Sequence, residues 1–298
     1  DMIVAFRELE SMGPADVKTR AAQPDFDYYC WDVYAKVTEW YEADSARLAL
    51  RAEALHALEA GGNEMADTAA VIAERIVRRH LATMARLNIW YDLLTWEGDI
   101  LRLKFWSRAF DILRDAGVMT RPETGKLAGC WVMPIEEAGA EENETESGAA
   151  DEPREKVIVR SDGTVTYVGK DIAYQFWKFG LLGTDFHYRR FVETGDPPLW
   201  ATSSTPTEGT PPSFGQADAV YNVIDTRQAY LQELLAQALR AMGHADEAEC
   251  SVHFSYEMVT LSHGAARALG FTEIDTTRPF VEVSGRKGLG VKADDLLD

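Results

Sequence analysis

The chain has 298 residues, of which 46% are hydrophobic and 10% aromatic, so it is a globular protein with a sizeable core and not a disordered one. Its apolar runs fall well short of the roughly 18–20 residues of a transmembrane helix, and its first residues lack the pattern of a secretory signal. The formal net charge of −19 argues against non-specific binding to nucleic acid. Three scattered cysteines, Cys30, Cys130 and Cys250, suit a reducing compartment. We therefore expect a cytoplasmic protein without a membrane segment.

Helical periodicity dominates the first 135 residues. Apolar residues recur at helical spacing between Phe26 and Tyr41, and further helices are predicted over 46–58, 64–88 and 99–116. The helix over 64–88 carries the densest basic stripe of the chain, formed by Arg75, Arg78, Arg79 and Arg86. Such a stripe is either a solvated helix face or a surface that contacts nucleic-acid phosphates.

Residues 136–155 form an acidic stretch without hydrophobic periodicity. A segment of this composition cannot build a core, so we predict a flexible, exposed loop. The loop would separate a mostly helical region, 1–135, from a region of alternating β-type and helical patterns, 156–298. A second loop is predicted over 196–218, which is rich in Pro, Ser and Thr.

The segment that opens the third region changes period in its middle. Residues 157–167 contain two short β-type runs around a Ser-Asp-Gly turn, which predicts a hairpin. From position 170 the pattern is helical, and Gly180 is the expected stop. Tyr167 should therefore leave a strand, and Asp171 should lie in the first helical turn. A carboxylate there either caps its own helix or binds a cation above the strand end.

A near-continuous apolar run over 219–225 predicts a strand that is buried on both faces. A tight turn and a helix follow, and together they make a Rossmann-like βα unit, whose ligands bind at the carboxyl ends of strands. At that position stand Asp225, Arg227 and Gln228, either as capping and surface residues or as ligands. Another strand is predicted over 250–255, with His253 near its end.

The loop FVEVSGRKGLGVK, residues 280–292, combines a serine, glycines and adjacent cations. Backbone N–H groups and positive charge in such a loop can wrap a polyphosphate. The pattern is also common on protein surfaces, so by itself it does not identify a phosphate site.

The run VRSDGTVTYVGKDIAYQFWKFGLL resembles the arginyl-tRNA synthetases, which are class I enzymes with a Rossmann-like catalytic core. FDYYCWDVYAKVTEWYE and HLATMARLNIWYDLLTWEGDIL are similar to the insertion that splits this core. The resemblance covers nearly the whole chain. It implies an α/β fold, an incomplete Rossmann-like class I synthetase core with a large, mostly helical insertion in the N-terminal half. Neither the first class I signature, His-Ile-Gly-His, nor the anticodon-binding domain has a counterpart, so we expect a central fragment that is inactive alone.

The resemblance assigns binding roles to individual residues. Tyr167 and Asp171 match a Tyr-x-x-x-Asp pair that holds the guanidinium of substrate arginine. Gln228 matches the residue beside the substrate's α-amino group. The adenine of ATP would be bordered by His253, Met258 and Val259.

The loop over 280–292 resembles the second class I signature, Lys-Met-Ser-Lys-Ser, and Ser284 matches the signature serine. Glu282 and Gly285 occupy the two lysine positions. Arg286 and Lys287 would therefore have to supply the charge that stabilises the leaving pyrophosphate.

The implied activity is that of an arginine–tRNA ligase, in which ATP converts L-arginine into arginyl-adenylate and the arginyl group passes to tRNA(Arg). Mg²⁺ would accompany ATP as a counter-ion, the basic stripe would contact tRNA, and no protein-held metal is expected. One alternative is a non-catalytic tRNA- or nucleotide-binding paralogue, which the missing signature would suit. Another is a purely helical scaffold, which leaves the β-type runs unexplained.

Overall fold

A computed structural model describes residues 1–134, 155–192, 198–207, 210–268, 270, 274–282 and 291–298. It divides into two compact units, one of Asp1–Tyr91 with Val259–Asp298 and the other of Asp92–Met258. The predicted division into 1–135, 136–155 and 156–298 stays a prediction, since 135–154 lie outside the described residues. None of the described helices is both long and apolar enough to cross a membrane.

The first unit is built mainly from helices, as the periodicity predicts. They are α1 (Met2–Glu8), α2 (Pro14–Ala21), α3 (Phe26–Ala43), α4 (Leu48–Ala60) and α5 (Glu64–Arg86). Asn63 caps α5, because its side-chain oxygen accepts a 3.0 Å hydrogen bond from the Ala66 amide. Apolar residues from these helices, including Phe6, Phe26 and Ile72, form one buried core.

The C-terminal part of the chain completes the first unit. Strands β8 (Thr260–Leu261) and β9 (Val281–Glu282) pair antiparallel. In sequence, the short helix α11 (His263–Ala268) lies between these strands and the short helix α12 (Ala293–Leu297) follows β9. Helix α12 is tied to α3 and α5. Tyr28 donates to Asp295 at 2.6 Å, and Thr83 donates to Asp294 at 2.7 Å.

The second unit is α/β, which excludes a purely helical scaffold. Strand β5 (Trp200–Ser203) lies between β1 (Leu93–Leu94), to which it is parallel, and the antiparallel β4 (His187–Arg190). Strands β2 (Trp131–Pro134) and β3 (Glu155–Val159) form an antiparallel pair. Parallel strands β6 (Val220–Asp225) and β7 (Ser251–Tyr256) are connected through α9 (Ala229–Ala241) and α10 (Ala245–Glu249), which is a βαβ crossover. The other α-helices among the described residues of this unit are α6 (Glu97–Arg102), α7 (Phe105–Asp115) and α8 (Tyr167–Lys178).

The prediction of a single helix over 99–116 is wrong. The chain forms two helices there, α6 and α7, with a break at Lys104, whose φ is 58°. Ile100 and Phe105 are both buried, at 4% and 0% exposure. Five residues rotate by about 140° on a straight helix, so these two side chains would face different directions. The break lets both reach the same core.

The predicted hairpin is only partly right. Its turn forms, with the Gly163 amide donating to the Arg160 carbonyl at 2.9 Å and Gly163 at φ 87°. The returning run is not a strand, since it makes one bridge, Val159 to Val165, while β3 pairs with β2. Helix α8 begins at Tyr167 and not near position 170. Asp171 is therefore the fifth residue of the helix, outside its first turn.

The strand predicted over 219–225 forms as β6, but it is not buried on both faces. Val220 and Asn222 are buried at 8% and 6% exposure, whereas Tyr221 and Val223 are 65% and 64% exposed. Successive side chains of a strand point to opposite faces, and in the described residues only one face of β6 is covered. The buried face packs on the helices that position the candidate site.

Candidate active site

The N-terminal end of α8 carries the two residues predicted to hold a guanidinium. Tyr167 is 52% exposed, and its hydroxyl lies 2.5 Å from the hydroxyl of Tyr230, which α9 supplies. This hydrogen bond lowers the pKa of Tyr167 and raises that of Tyr230. The hydroxyl of Tyr167 is therefore fixed in place before any ligand arrives.

Asp171 follows Tyr167 by four residues, so both side chains lie on the same face of α8. Its carboxylate is partly buried, and within the described ranges it has no hydrogen-bond or ion-pair partner. Burial raises the pKa of Asp171 to about 6; the negative charge of Glu97 adds to this, while Lys178 and Lys170 oppose it. A carboxylate in this state is well placed to bind a cation, whose charge would compensate its own.

Two residues beside Tyr167 were not found from the sequence. Tyr230 and Lys156 both approach its ring, and the Lys156 ammonium lies 4.8 Å from the Tyr230 ring centroid and 5.6 Å from that of Tyr167. Lys156 comes from β3, so three separate elements meet here. No spacing in the sequence links positions 156, 167 and 230, and for this reason a sequence pattern could not group them.

Two polar residues predicted at the carboxyl end of β6, Asp225 and Gln228, have different environments. Asp225 accepts from the Arg227 amide at 2.8 Å and pairs with its guanidinium at 2.8 and 2.9 Å. These bonds lower the pKa of Asp225. Asp225 thus has the capping role that the sequence left open, whereas Gln228 is exposed at the start of α9.

The three residues predicted to border adenine are not all in one unit. His253 lies on β7, partly buried, and its Nε2 donates to the Ile224 carbonyl at 2.9 Å, which leaves Nδ1 as an acceptor. Met258 follows β7 and is partly buried. Val259 belongs to the first unit and is 75% exposed. Their predicted role stays a prediction.

Most of the predicted phosphate loop, 283–290, lies outside the described residues. Ser284, Arg286 and Lys287 lie outside the described residues, as does Gly285. Their catalytic role therefore also remains a prediction. Among the residues that are described, no group of three His, Cys, Asp or Glu side chains is arranged to hold a metal ion.

The basic stripe on α5 is largely neutralised within the first unit. Arg78 pairs with Glu74 at 2.8 Å and Arg79 with Asp27 at 3.3 Å. Arg86 pairs with Asp294 and Asp298 at 2.5 and 2.7 Å. Arg75 donates to the Ala22 carbonyl at 3.4 Å. The stripe therefore has internal partners, and its contact with tRNA stays a prediction.

Comparisons with known proteins agree on one family, although no family model matches the chain. The arginine–tRNA ligases of Deinococcus radiodurans and Thermococcus kodakarensis are 35% and 32% identical to it, over 90% and 95% of this chain. An arginine–tRNA ligase of Thermus thermophilus is 34% identical over 92%. The solved structure of Thermus thermophilus arginyl-tRNA synthetase matches 99% of this chain with a TM-score of 0.70 and 28% identity.

The matched fold, with its parallel βαβ unit and helical N-terminal part, is that of a class I aminoacyl-tRNA synthetase core, as the sequence predicts. Within that class the chain belongs to the arginyl-tRNA synthetase family. It spans about 40% of the length of these curated relatives and 42% of the matched structure.

Proposed function

We propose that the protein to which this chain belongs is an arginine–tRNA ligase, which activates L-arginine with ATP and transfers it to tRNA(Arg). The names of the relatives support this activity. The observation that carries it to this chain is Asp171, a partly buried carboxylate without a partner in the described residues, four positions after the fixed hydroxyl of Tyr167.

In this proposal the guanidinium of arginine binds between Asp171 and Tyr167. A guanidinium offers five donors in one plane, and charge-assisted hydrogen bonds to a carboxylate are directional and strong. A bound guanidinium would also supply the positive charge that the Asp171 carboxylate lacks in the free protein. Gln228 would contact the α-amino group at the start of α9.

The residues proposed for the other roles in the reaction lie near the end of β7 or after it in sequence. His253, Met258 and Val259 would border adenine, with the Nδ1 of His253 available as an acceptor. Ser284, Arg286 and Lys287 would stabilise the pyrophosphate that leaves when the arginine carboxylate attacks the α-phosphate. Mg²⁺ would arrive on the ATP phosphates. Such catalysis relies on positioning and charge stabilisation without a protein nucleophile.

Protein synthesis places this activity in the cytoplasm. The thiols of Cys30, Cys130 and Cys250 are all free, which agrees with a reducing compartment.

The test is arginine binding to the 298-residue chain, measured by calorimetry at pH 7.5. The variant Asp171→Asn should weaken binding by about 2–5 kcal/mol, roughly 30-fold or more, because a charged partner of the guanidinium is lost. The matched control is Asp162→Asn, an exposed aspartate of the preceding turn. Citrulline, the uncharged analogue, should not bind. Equal arginine affinity in Asp171→Asn and the parent would contradict the assignment.

A further inference from the structure

One face of α8 carries a stripe that extends beyond the two predicted residues. Asp171, Tyr174 and Lys178 are spaced i, i+3 and i+7, so they lie above one another on the helix. Side chains of a helix lean towards its N-terminus, which directs Lys178 back over Tyr174 in the direction of Asp171. The structure has this arrangement, since the Lys178 ammonium lies 4.6 Å from the centroid of the Tyr174 ring.

The position of Lys178 is fixed by neutral groups. Its ammonium donates to the side-chain oxygen of Asn222 at 2.8 Å, and Asn222 is only 6% exposed on the buried face of β6. Tyr174 is held as well, because its ring stacks on Trp177 at 5.4 Å and its hydroxyl bonds to Thr95 at 2.8 Å. In the part of the chain that the structure describes, no carboxylate forms an ion pair with Lys178.

Two opposite charges thus share one helix face without direct ion-pair partners of their own in the described residues. Burial lowers the pKa of Lys178 to about 8, and the charge of Asp171 opposes this change. Burial raises the pKa of Asp171, and the charge of Lys178 opposes it in turn. Each group therefore favours the charged form of the other.

We propose that Lys178 is a positioning residue for the cation site: its ammonium, held over Tyr174 by Asn222, keeps the Asp171 carboxyl ionised at neutral pH so that the site can accept a guanidinium. The part of this inference that concerns the guanidinium rests on the proposed function. The part that concerns the charge of Asp171 does not.

The other charged groups around Asp171 leave this role to Lys178. Among the described residues, these other groups are Glu97 of α6 and Lys170 of α8, which form an ion pair with each other at 2.9 Å. Their effects on the pKa of Asp171 are opposite in sign, and among the two lysines Lys178 opposes the increase more than Lys170 does. The groups contributed by β6 and by the segment before α6, Asn222 and Thr95, are neutral.

The arrangement predicts how ligand binding depends on pH. A bound guanidinium favours the anionic form of Asp171 and disfavours the cationic form of Lys178, so both groups release protons on binding. Affinity for arginine should therefore rise between about pH 5 and pH 8, first through ionisation of Asp171 and then through loss of the proton from Lys178.

The experiment measures the titration of Asp171 directly, by NMR of ¹³C-labelled aspartate carboxyls in the 298-residue chain, with Asp171→Asn to assign the signal. In Lys178→Met the pKa of Asp171 should increase by about 1 unit, because one opposite charge is removed. Lys178→Arg should keep it near the parent value. The matched control Lys170→Met removes a lysine of the same helix whose charge Glu97 already compensates, and it should cause a smaller shift.

Arginine affinity provides the second readout. An increase of about 1 unit in the Asp171 pKa reduces the ionised fraction at pH 6.5 by about threefold, so Lys178→Met should bind arginine about threefold more weakly there. At pH 8.5 the two affinities should be similar, because Asp171 is ionised in both chains and Lys178, with a pKa of about 8, is mostly neutral in the parent. A merely structural defect would weaken binding at both pH values and would overturn the proposal.

Asn222→Asp keeps the lysine but gives it a carboxylate partner, and it should raise the Asp171 pKa as well. This variant serves as a second test if Lys178→Met does not fold, as judged by circular dichroism. An Asp171 pKa that is unchanged in the folded variants would overturn the proposal. If the pKa shifts but no chain binds arginine, the proposed function fails and the role of Lys178 stands.

Discussion

The Asp171 carboxylate, for which we propose a binding role, is in an unfavourable environment in the free protein. Its pKa is raised to about 6, mainly by burial, against an ordinary value near 3.8. A carboxyl whose pKa is higher in the folded state favours folding when it is protonated, below about pH 4. That contribution is lost as the pH rises through about 6, so above this value the ionised group opposes folding. Binding sites often retain residues of this kind.

The variant Asp171→Asn should therefore stabilise the ligand-free chain at pH 8, by about 1 kcal/mol after allowance for solvent screening, and change little at pH 4. The measurement is urea unfolding followed by circular dichroism at both values. Asp162→Asn, on the exposed turn, should not stabilise the chain at pH 8, because hydrogen bonds from Thr164 lower the pKa of Asp162. A variant that is less stable than the parent at pH 8 would contradict the burial argument.

The hydroxyl of Tyr230 is hydrogen-bonded to that of Tyr167, so it should contribute to the affinity for arginine. The sequence did not predict a role for Tyr230. Tyr230→Phe removes one neutral hydrogen bond, for which about 0.5–1.5 kcal/mol is typical. We expect arginine affinity to fall roughly two- to tenfold in calorimetry. Tyr221→Phe is the control, because Tyr221 is 65% exposed on β6. Equal losses in the two variants would mean that the contact with Tyr167 has no effect on binding.

At the scale of elements, the end of α8 is set by a glycine. Gly180 has a φ of 75°; its amide donates to the Trp177 carbonyl and the Leu181 amide donates to the Phe176 carbonyl, both at 2.9 Å. These two bonds are those of a Schellman motif. A Cβ at Gly180 would lie 2.8 Å from the Cγ of Gln216, so the position combines a left-handed backbone with a close contact.

Gly180→Ala should therefore destabilise the chain by more than the roughly 1 kcal/mol that a left-handed alanine costs. Gly243→Ala is the matched control, since Gly243 follows α9 with a φ of 84° and, among the described residues, has no atom within 4 Å of its would-be Cβ. The difference between the two variants in urea unfolding isolates the contact with Gln216. Equal losses would show that Gln216 moves aside freely.

Strong hydrophobic periodicity predicted the long helices α5 and α9, and the glycine pattern predicted the end of α8 at Gly180. Periodicity did not predict the local structure where tertiary packing determines it. Lys104 takes a left-handed conformation although no glycine or proline marks the break, and β5 forms inside a stretch rich in Pro, Ser and Thr because Trp200, Ala201 and Thr202 are buried between two strands.

The candidate site shows the same limit. Tyr167 and Asp171 could be predicted from the sequence, because they lie on one helix and belong to one family pattern. Tyr230, Lys156 and Asn222 were not, because they come from other elements and meet α8 only in the fold. Contacts over such sequence separations leave no local signal.

At the scale of the whole molecule, the proposed function requires an acidic chain to bind tRNA, which is an anion. The net charge is −19, and the α5 stripe is partly neutralised by its own carboxylates. Any tRNA contact here requires the phosphates to compete with these ion pairs. Arg86 also holds α12, so its replacement would disturb the structure as well as the charge.

The double variant Arg75→Glu with Arg78→Glu should therefore weaken tRNA binding and reduce the salt dependence by roughly one unit of slope for each phosphate that is no longer bound. Arg114→Glu with Arg240→Glu has the same net charge and reverses exposed arginines of the second unit, so it serves as the control. The measurement is tRNA binding at several salt concentrations. Equal slopes in both doubles would assign the stripe to the solvated surface.

The first unit is assembled from two distant parts of the chain, Asp1–Tyr91 and Val259–Asp298, and Arg86 meets Asp294 across 208 positions. A ribosome makes the chain from its N-terminus, so the complete second unit emerges before the last strand and helix of the first. The intervening residues 92–258 can therefore fold as soon as they are made. Until α12 is made, the surface of α3 and α5 that binds α12 stays exposed. During synthesis, the first unit should therefore become resistant to proteases later than the second unit.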